Sequence, residues 1–210
     1  MAGLKAAAER HPGRVTAYKV ASDTFDVALI TPVLTYLARL ESEQSGNRLG
    51  YTGARLPDAD QLRLHTLSDF GTWADYVSDY PPVLLIRATP RLVEGFWTTV
   101  GRFAASTQGV ALPPIKRFKA GFSRMRAFCG DAEVTPIHRF KVEQRVSETE
   151  AIYEGLYAFD PGALGPQCGT VKLVLFSEKE PQKGDTRVVD PGLLKQVWED
   201  FAPFRSGGGA

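Results

Sequence analysis

A chain of 210 residues, 43% hydrophobic and 23% charged, can bury one sizeable core and is too apolar for a disordered segment. Its net charge of +1 gives no global reason to seek nucleic acid or an anionic membrane. No window approaches the ~20 consecutive apolar residues that span a bilayer. The opening MAGLKAAAERHPGR holds no apolar run of signal-peptide length, so the expected forms are a cytoplasmic chain or a mature one whose signal is gone.

In chain order, RVTAYKVA alternates like a strand. Two segments, FDVALITPVLTYLARLESEQSG and PVLLIRATPRLVEGFWTTVGRF, then each run apolar strand, Thr-Pro, amphipathic helix. Thr31 and Thr89 suit the N-cap, where a hydroxyl accepts from a free amide, and Pro32 and Pro90 suit the first helical position. Both segments therefore predict β-α units, the second with Leu92, Val93, Phe96, Trp97, Val100 and Phe103 on one helical face. Between them lie a polar loop over 46–62 and a helix over 68–80.

After QGVALPP the character changes. Residues 122–129, 137–146, 152–159 and 170–177 read as four successive strands joined by Gly, Pro, Asp and Ser-rich turns. In IHRFKVEQRV the set His138, Phe140, Val142 and Val146 is expected on a core face, and Arg139, Lys141, Glu143 and Arg145 in water. A C-terminal helix follows, with Asp190 as cap, Pro191 at its start, and Leu193, Leu194, Val197, Trp198 and Phe201 as its apolar stripe. The predicted fold class is α+β: N-terminal β-α units followed by a four-stranded antiparallel sheet covered by a C-terminal helix. One domain over 1–205 is expected, with a possible sub-domain boundary near 109–114 and a flexible tail at 206–210.

The stretch KRFKAGFSRMRAFCGDAEVTPIHRF, residues 116–140, concentrates what chemistry the chain offers. Between 114 and 146 there are eight Lys or Arg and three Asp or Glu, a local charge of +5. Lys116, Arg117, Lys119, Arg124, Arg126, Arg139 and Lys141 are accordingly the predicted partner-binding set, suited to acidic or phosphate-rich partners. Interleaved Phe118, Phe122, Phe128 and Phe140 also admit weak single-stranded nucleic-acid binding as an alternative. No RNP, KH or helix-turn-helix pattern accompanies them, and basic side chains commonly decorate the wet face of a sheet.

If the four strands form a meander, alternate strand ends meet at one edge, bringing Cys129, His138, Asp160 and Cys168 together. A Cys129–Cys168 disulfide would close a loop of roughly 40 residues and contribute ~3–4 kcal/mol. The same cluster could instead be a hydrolase or transferase centre, with a thiolate nucleophile, His138 as base and Asp160 orienting it. The loose spacing does not suit a metal, and no metal or cofactor is expected. His138, on an apolar strand face, reads first as a packed core residue.

Asp58 with Asp60, Asp75 with Asp79, and the isolated His11 and His65 match solvated loops and helices. Trp73, Trp97 and Trp198 fall at core-facing helical positions. There is no G-x-x-x-x-G-K, G-x-G-x-x-G after a strand, G-x-S-x-G or H-E-x-x-H. By subtraction, the sequence predicts a non-catalytic domain that binds a protein partner or joins a larger assembly. It is extracytoplasmic, periplasmic or secreted, if the disulfide forms, and cytoplasmic otherwise.

Overall fold

The computed structural model describes residues 8–9, 18–37, 82–94, 116–145 and 151–205. Within them, eleven strands form three antiparallel sheets. The largest is five-stranded, in the order β1 (Lys19–Ala21), β2 (Phe25–Ile30), β3 (Leu84–Pro90), β9 (Ala151–Phe159), β8 (His138–Arg145). A four-stranded sheet runs β11 (Gly184–Val188), β10 (Val171–Ser177), β6 (Phe122–Cys129), β7 (Ala132–Val134). A short pair joins β4 (Leu92–Glu94) to β5 (Lys116–Phe118).

Period-2 alternation supplies the core between the two larger sheets. Val27 and Leu29 of β2, Leu84, Ile86 and Ala88 of β3, and Tyr157 and Phe159 of β9 share one cluster with Met125 and Ala127 of β6 and Val171, Leu173 and Leu175 of β10. Phe122 is the hinge of this packing. Its ring meets Phe25 edge-on at 5.8 Å and Tyr157 at 5.9 Å, and it lies against Gly155, where any side chain would collide with it. A glycine in mid-strand is thus explained by the close approach of the two sheets.

The first Thr-Pro segment starts a helix, whose expected continuation past residue 37 lies outside the described residues. Residues 32–37 are helical, and the Thr31 hydroxyl accepts from Leu34 N–H at 3.2 Å. The C-terminal helix (Pro191–Asp200) is also capped as expected: Asp190 Oδ1 accepts from Leu193 N–H at 3.0 Å. Its Leu194 and Val197, with Phe201 just beyond, join the main core cluster. Leu193 and Trp198 are only half-buried, and the Trp198 ring lies under the Arg205 guanidinium.

Three expectations are corrected. The second Thr-Pro does not start a helix: Thr89 and Pro90 end β3, paired with Asp26 and Phe25, and Leu92–Glu94 forms β4. A local cap signal yields there to the pairing of a central strand. The four C-terminal strands are not one meander either. A hairpin at Gly130, whose φ of 62° favours glycine, turns β6 back on β7, and the chain then crosses to the other sheet as β8 and β9 before β10 returns to β6. The four-stranded sheet therefore contains β6 and β10 of the expected set, with β7 and β11, which the sequence reading did not assign.

Finally, His138, Phe140 and Val142 are not core. β8 is the last strand of its sheet among the described residues, and every residue from His138 to Glu143 is exposed. The expectations for 14–17, His11, 46–62 with Asp58 and Asp60, His65, the helix over 68–80 with Trp73, Asp75 and Asp79, residues 95–103 with Trp97, the boundary near 109–114, Val146 and the tail 206–210 lie outside the described residues.

Candidate functional site: an arginine-lined cleft

The proposed Cys/His/Asp cluster separates between the sheets. Cys129, the last residue of β6, and Cys168, just before β10, form a disulfide with Cα atoms 4.7 Å apart. The bridge ties neighbouring strands, since Val171 pairs with Cys129. His138 lies instead in the five-stranded sheet opposite Ala158, its ring 5.9 Å from Phe140. Asp160 follows β9 and closes a turn by accepting from Gly162 N–H at 2.8 Å. Among the described residues no three His, Cys, Asp or Glu side chains converge as metal ligands. With both sulfurs in the bridge, neither is a thiolate nucleophile.

The basic residues also separate. Lys116 and Arg117 are described only as β5 backbone. Lys119 donates to the Asp23 carbonyl at 2.8 Å, pinning a loop. Lys141 donates to Glu178 at 2.7 Å and lies 4.1 Å above the Tyr153 ring. The remaining three, Arg124, Arg126 and Arg139, line one cleft of about 230 Å³.

The cleft follows from the topology. β7 pairs only with Ala127–Cys129, so among the described strands the Phe122–Arg126 part of β6 has a partner on one side alone. β6 supplies Arg124, Met125 and Arg126, while Glu133, Val134, Thr135 and Pro136 carry the wall across to Arg139 of β8. Tyr157 of β9 completes the lining, and its hydroxyl accepts from Met125 N–H at 3.1 Å, satisfying that edge amide and joining the sheets.

The guanidiniums are not equivalent. Arg126 makes two bonds to Glu133, at 2.9 and 2.5 Å, and lies 4.9 Å from the Phe128 ring centroid. That hydrogen-bonded guanidinium holds the Glu133 carboxyl below its ordinary range, with a smaller contribution from Arg139. Arg124 rests over Phe176 at 4.3 Å and reaches the Pro181 carbonyl at 3.4 Å, an outer-limit bond. Arg139 makes no hydrogen bond or ion pair among the described residues. Three guanidiniums against one carboxylate leave the cleft net positive, and the planar donors of Arg139, which make no hydrogen bond among the described residues, match a carboxylate or phosphate.

Sequence reasoning named the three arginines but missed Glu133 and Tyr157. The R-x-R of β6 marked one wall. Nothing local marked the other, because β9 reaches it only through the sheet crossing.

No protein-family model, no curated protein and no solved structure matches the chain. Among the described residues no helix is long and apolar enough to cross a membrane.

Proposed function

We propose that this chain is a disulfide-stapled, non-catalytic binding domain that receives an anionic side chain or terminus of a protein partner in the Arg124/Arg126/Arg139 cleft. The observation that carries it is Arg139, a guanidinium lining the cleft that makes no hydrogen bond or close ion pair among the described residues and shares the field of Glu133 with Arg126. Arg126, fixed by Glu133, would orient the ligand rather than release its carboxylate. Nucleic acid fits less well. Phe122 is buried in the core and Phe128 and Phe176 lie beneath guanidiniums, which leaves exposed Phe140 on β8 as the main aromatic surface for stacking bases, less than a base-stacking platform uses. An oxidising, extracytoplasmic compartment accords with the disulfide.

The test is a heteronuclear NMR titration with hexaglutamate, inorganic phosphate and a thymidine oligonucleotide as probes. Hexaglutamate should shift Arg139, Arg124 and Tyr157, with Arg139→Ala weakening it about tenfold. No shift at millimolar hexaglutamate, or equal affinity in the Arg139→Ala protein, would overturn the proposal. Tighter binding of the oligonucleotide, with a steep salt slope, would replace it by nucleic-acid binding.

A further inference from the structure

The β8 strand is an exposed edge with an unusual side-chain content. Ile137, Phe140 and Val142 are three of the five exposed large hydrophobics among the described residues, at 52%, 49% and 40%. They fall together at this one edge, whose outer backbone groups have no neighbouring strand among those described. Charged residues commonly guard such edges, and a row of one sign would do so here. The row is mixed: Arg139 and Lys141 are followed by Glu143.

We propose that two copies of this chain pair edge to edge through β8, antiparallel and centred on Lys141, joining their five-stranded sheets. In this register Arg139 faces Glu143 of the second copy, and the symmetry repeats the pair. Phe140 faces Val142 of the second copy, also twice, so the exposed apolar side chains cover one another. Only Lys141 faces its like. Its ammonium is already held by Glu178 at 2.7 Å over the Tyr153 ring, which neutralises the repulsion at the axis.

The charges left over inside one chain are the ones the second copy satisfies. Among the described residues Arg139 has no ion-pair partner within 4 Å, and Glu143 accepts only from the Tyr153 hydroxyl at 3.5 Å. Antiparallel pairing about a two-fold places unlike charges opposite each other, which favours association, whereas like charges opposite would oppose it. Arg139 carries five N–H donors, enough to serve both Glu143 of the second copy and an anion in the cleft.

Sedimentation equilibrium on the whole chain, from about 5 to about 500 μM, tests this over the range expected of a modest edge contact. The wild type should show a concentration-dependent monomer–dimer equilibrium. Arg139→Glu and Glu143→Arg should each weaken the dimer by about tenfold or more, and the combined Arg139→Glu/Glu143→Arg chain should recover to within about threefold of wild type. Circular dichroism reports that each variant is folded. A wild type that stays monomeric, a dimer that ignores the single reversals, or a double reversal that fails to restore it would each overturn the proposal. Arg124→Ala should weaken hexaglutamate binding and leave the dimer unchanged, so failure of one idea is distinguishable from failure of the other.

Discussion

The hydroxyl of Tyr18, the residue before β1, donates to Asp200 Oδ2 at 2.7 Å, and the Thr31 hydroxyl donates to the same oxygen at 2.5 Å. Residues 182 positions apart are joined by a carboxylate that is itself only 5% exposed. The C-terminal helix is thereby fastened to β1 and to the cap of the helix at 32–37. Asp200→Ala would leave two buried hydroxyls without this acceptor, and should lower the unfolding free energy by about 3 kcal/mol in urea.

The same contact gives a pH signature. Burial, and then the Asp200 hydrogen bond, raise the Tyr18 pKa well above its ordinary value. The folded state therefore keeps a proton that the unfolded chain releases near pH ~10. The stability this contributes is complete below that value and is lost as pH rises further, by up to ~1.4 kcal/mol per pH unit. Tyr18→Phe should flatten the decline above pH ~10 in denaturant melts; an unchanged slope would count against the contact.

A second buried charge system lies on the other face of the five-stranded sheet. Arg87 Nε donates to Glu154 at 2.6 Å, with side chains 10% and 4% exposed. Desolvation raises the Glu154 pKa, and Arg87 pulls it back. Because the shift is upward, the Glu154 contribution is present below its unfolded value and is lost as pH rises through the folded one. Arg87→Met removes the counter-charge and should cost about 3–5 kcal/mol at pH 7. The loss should shrink on acidification as Glu154 takes up a proton. Arg87→Met/Glu154→Leu should regain most of the stability, because no unpaired charge is then buried.

Strand positions were legible where alternation was strong. The span 122–129 coincides with β6, and the ends of β9 and β10 fall within a residue of expectation. Pairing was not legible, since alternation says which face a residue takes and nothing about which strand lies beside it. Gly130-Asp131 is a turn signal, but the three-residue β7 it produces is too short to carry a period. The two Thr-Pro dipeptides make the same point. Thr31 caps a helix because its segment ends there, while Thr89 is held by Asp26 across a ladder. The cleft inherits this limit: Arg124 and Arg126 are local in sequence, whereas the places of Arg139 and Tyr157 depend on β8 and β9 crossing to the other sheet, and the exposure of Phe140 on β8 lying at its edge.

The disulfide carries the last prediction. Cys129 and Cys168 are separated by 39 residues, and that loop contains all of β7, β8 and β9. Cross-linking its ends removes chain entropy from the unfolded state worth about 3–4 kcal/mol, so Cys129→Ala/Cys168→Ala should lower the urea midpoint by that equivalent. Both sulfurs should resist alkylation, read by intact mass, until a reductant is added. His138→Ala separates the structural role from a catalytic one. The imidazole is exposed on β8 and hydrogen-bonds to neither cysteine nor to Asp160 among the described residues, so its removal should change stability by less than about 0.5 kcal/mol. Ready alkylation without reductant would remove the staple and return both thiols to the list of reactive groups.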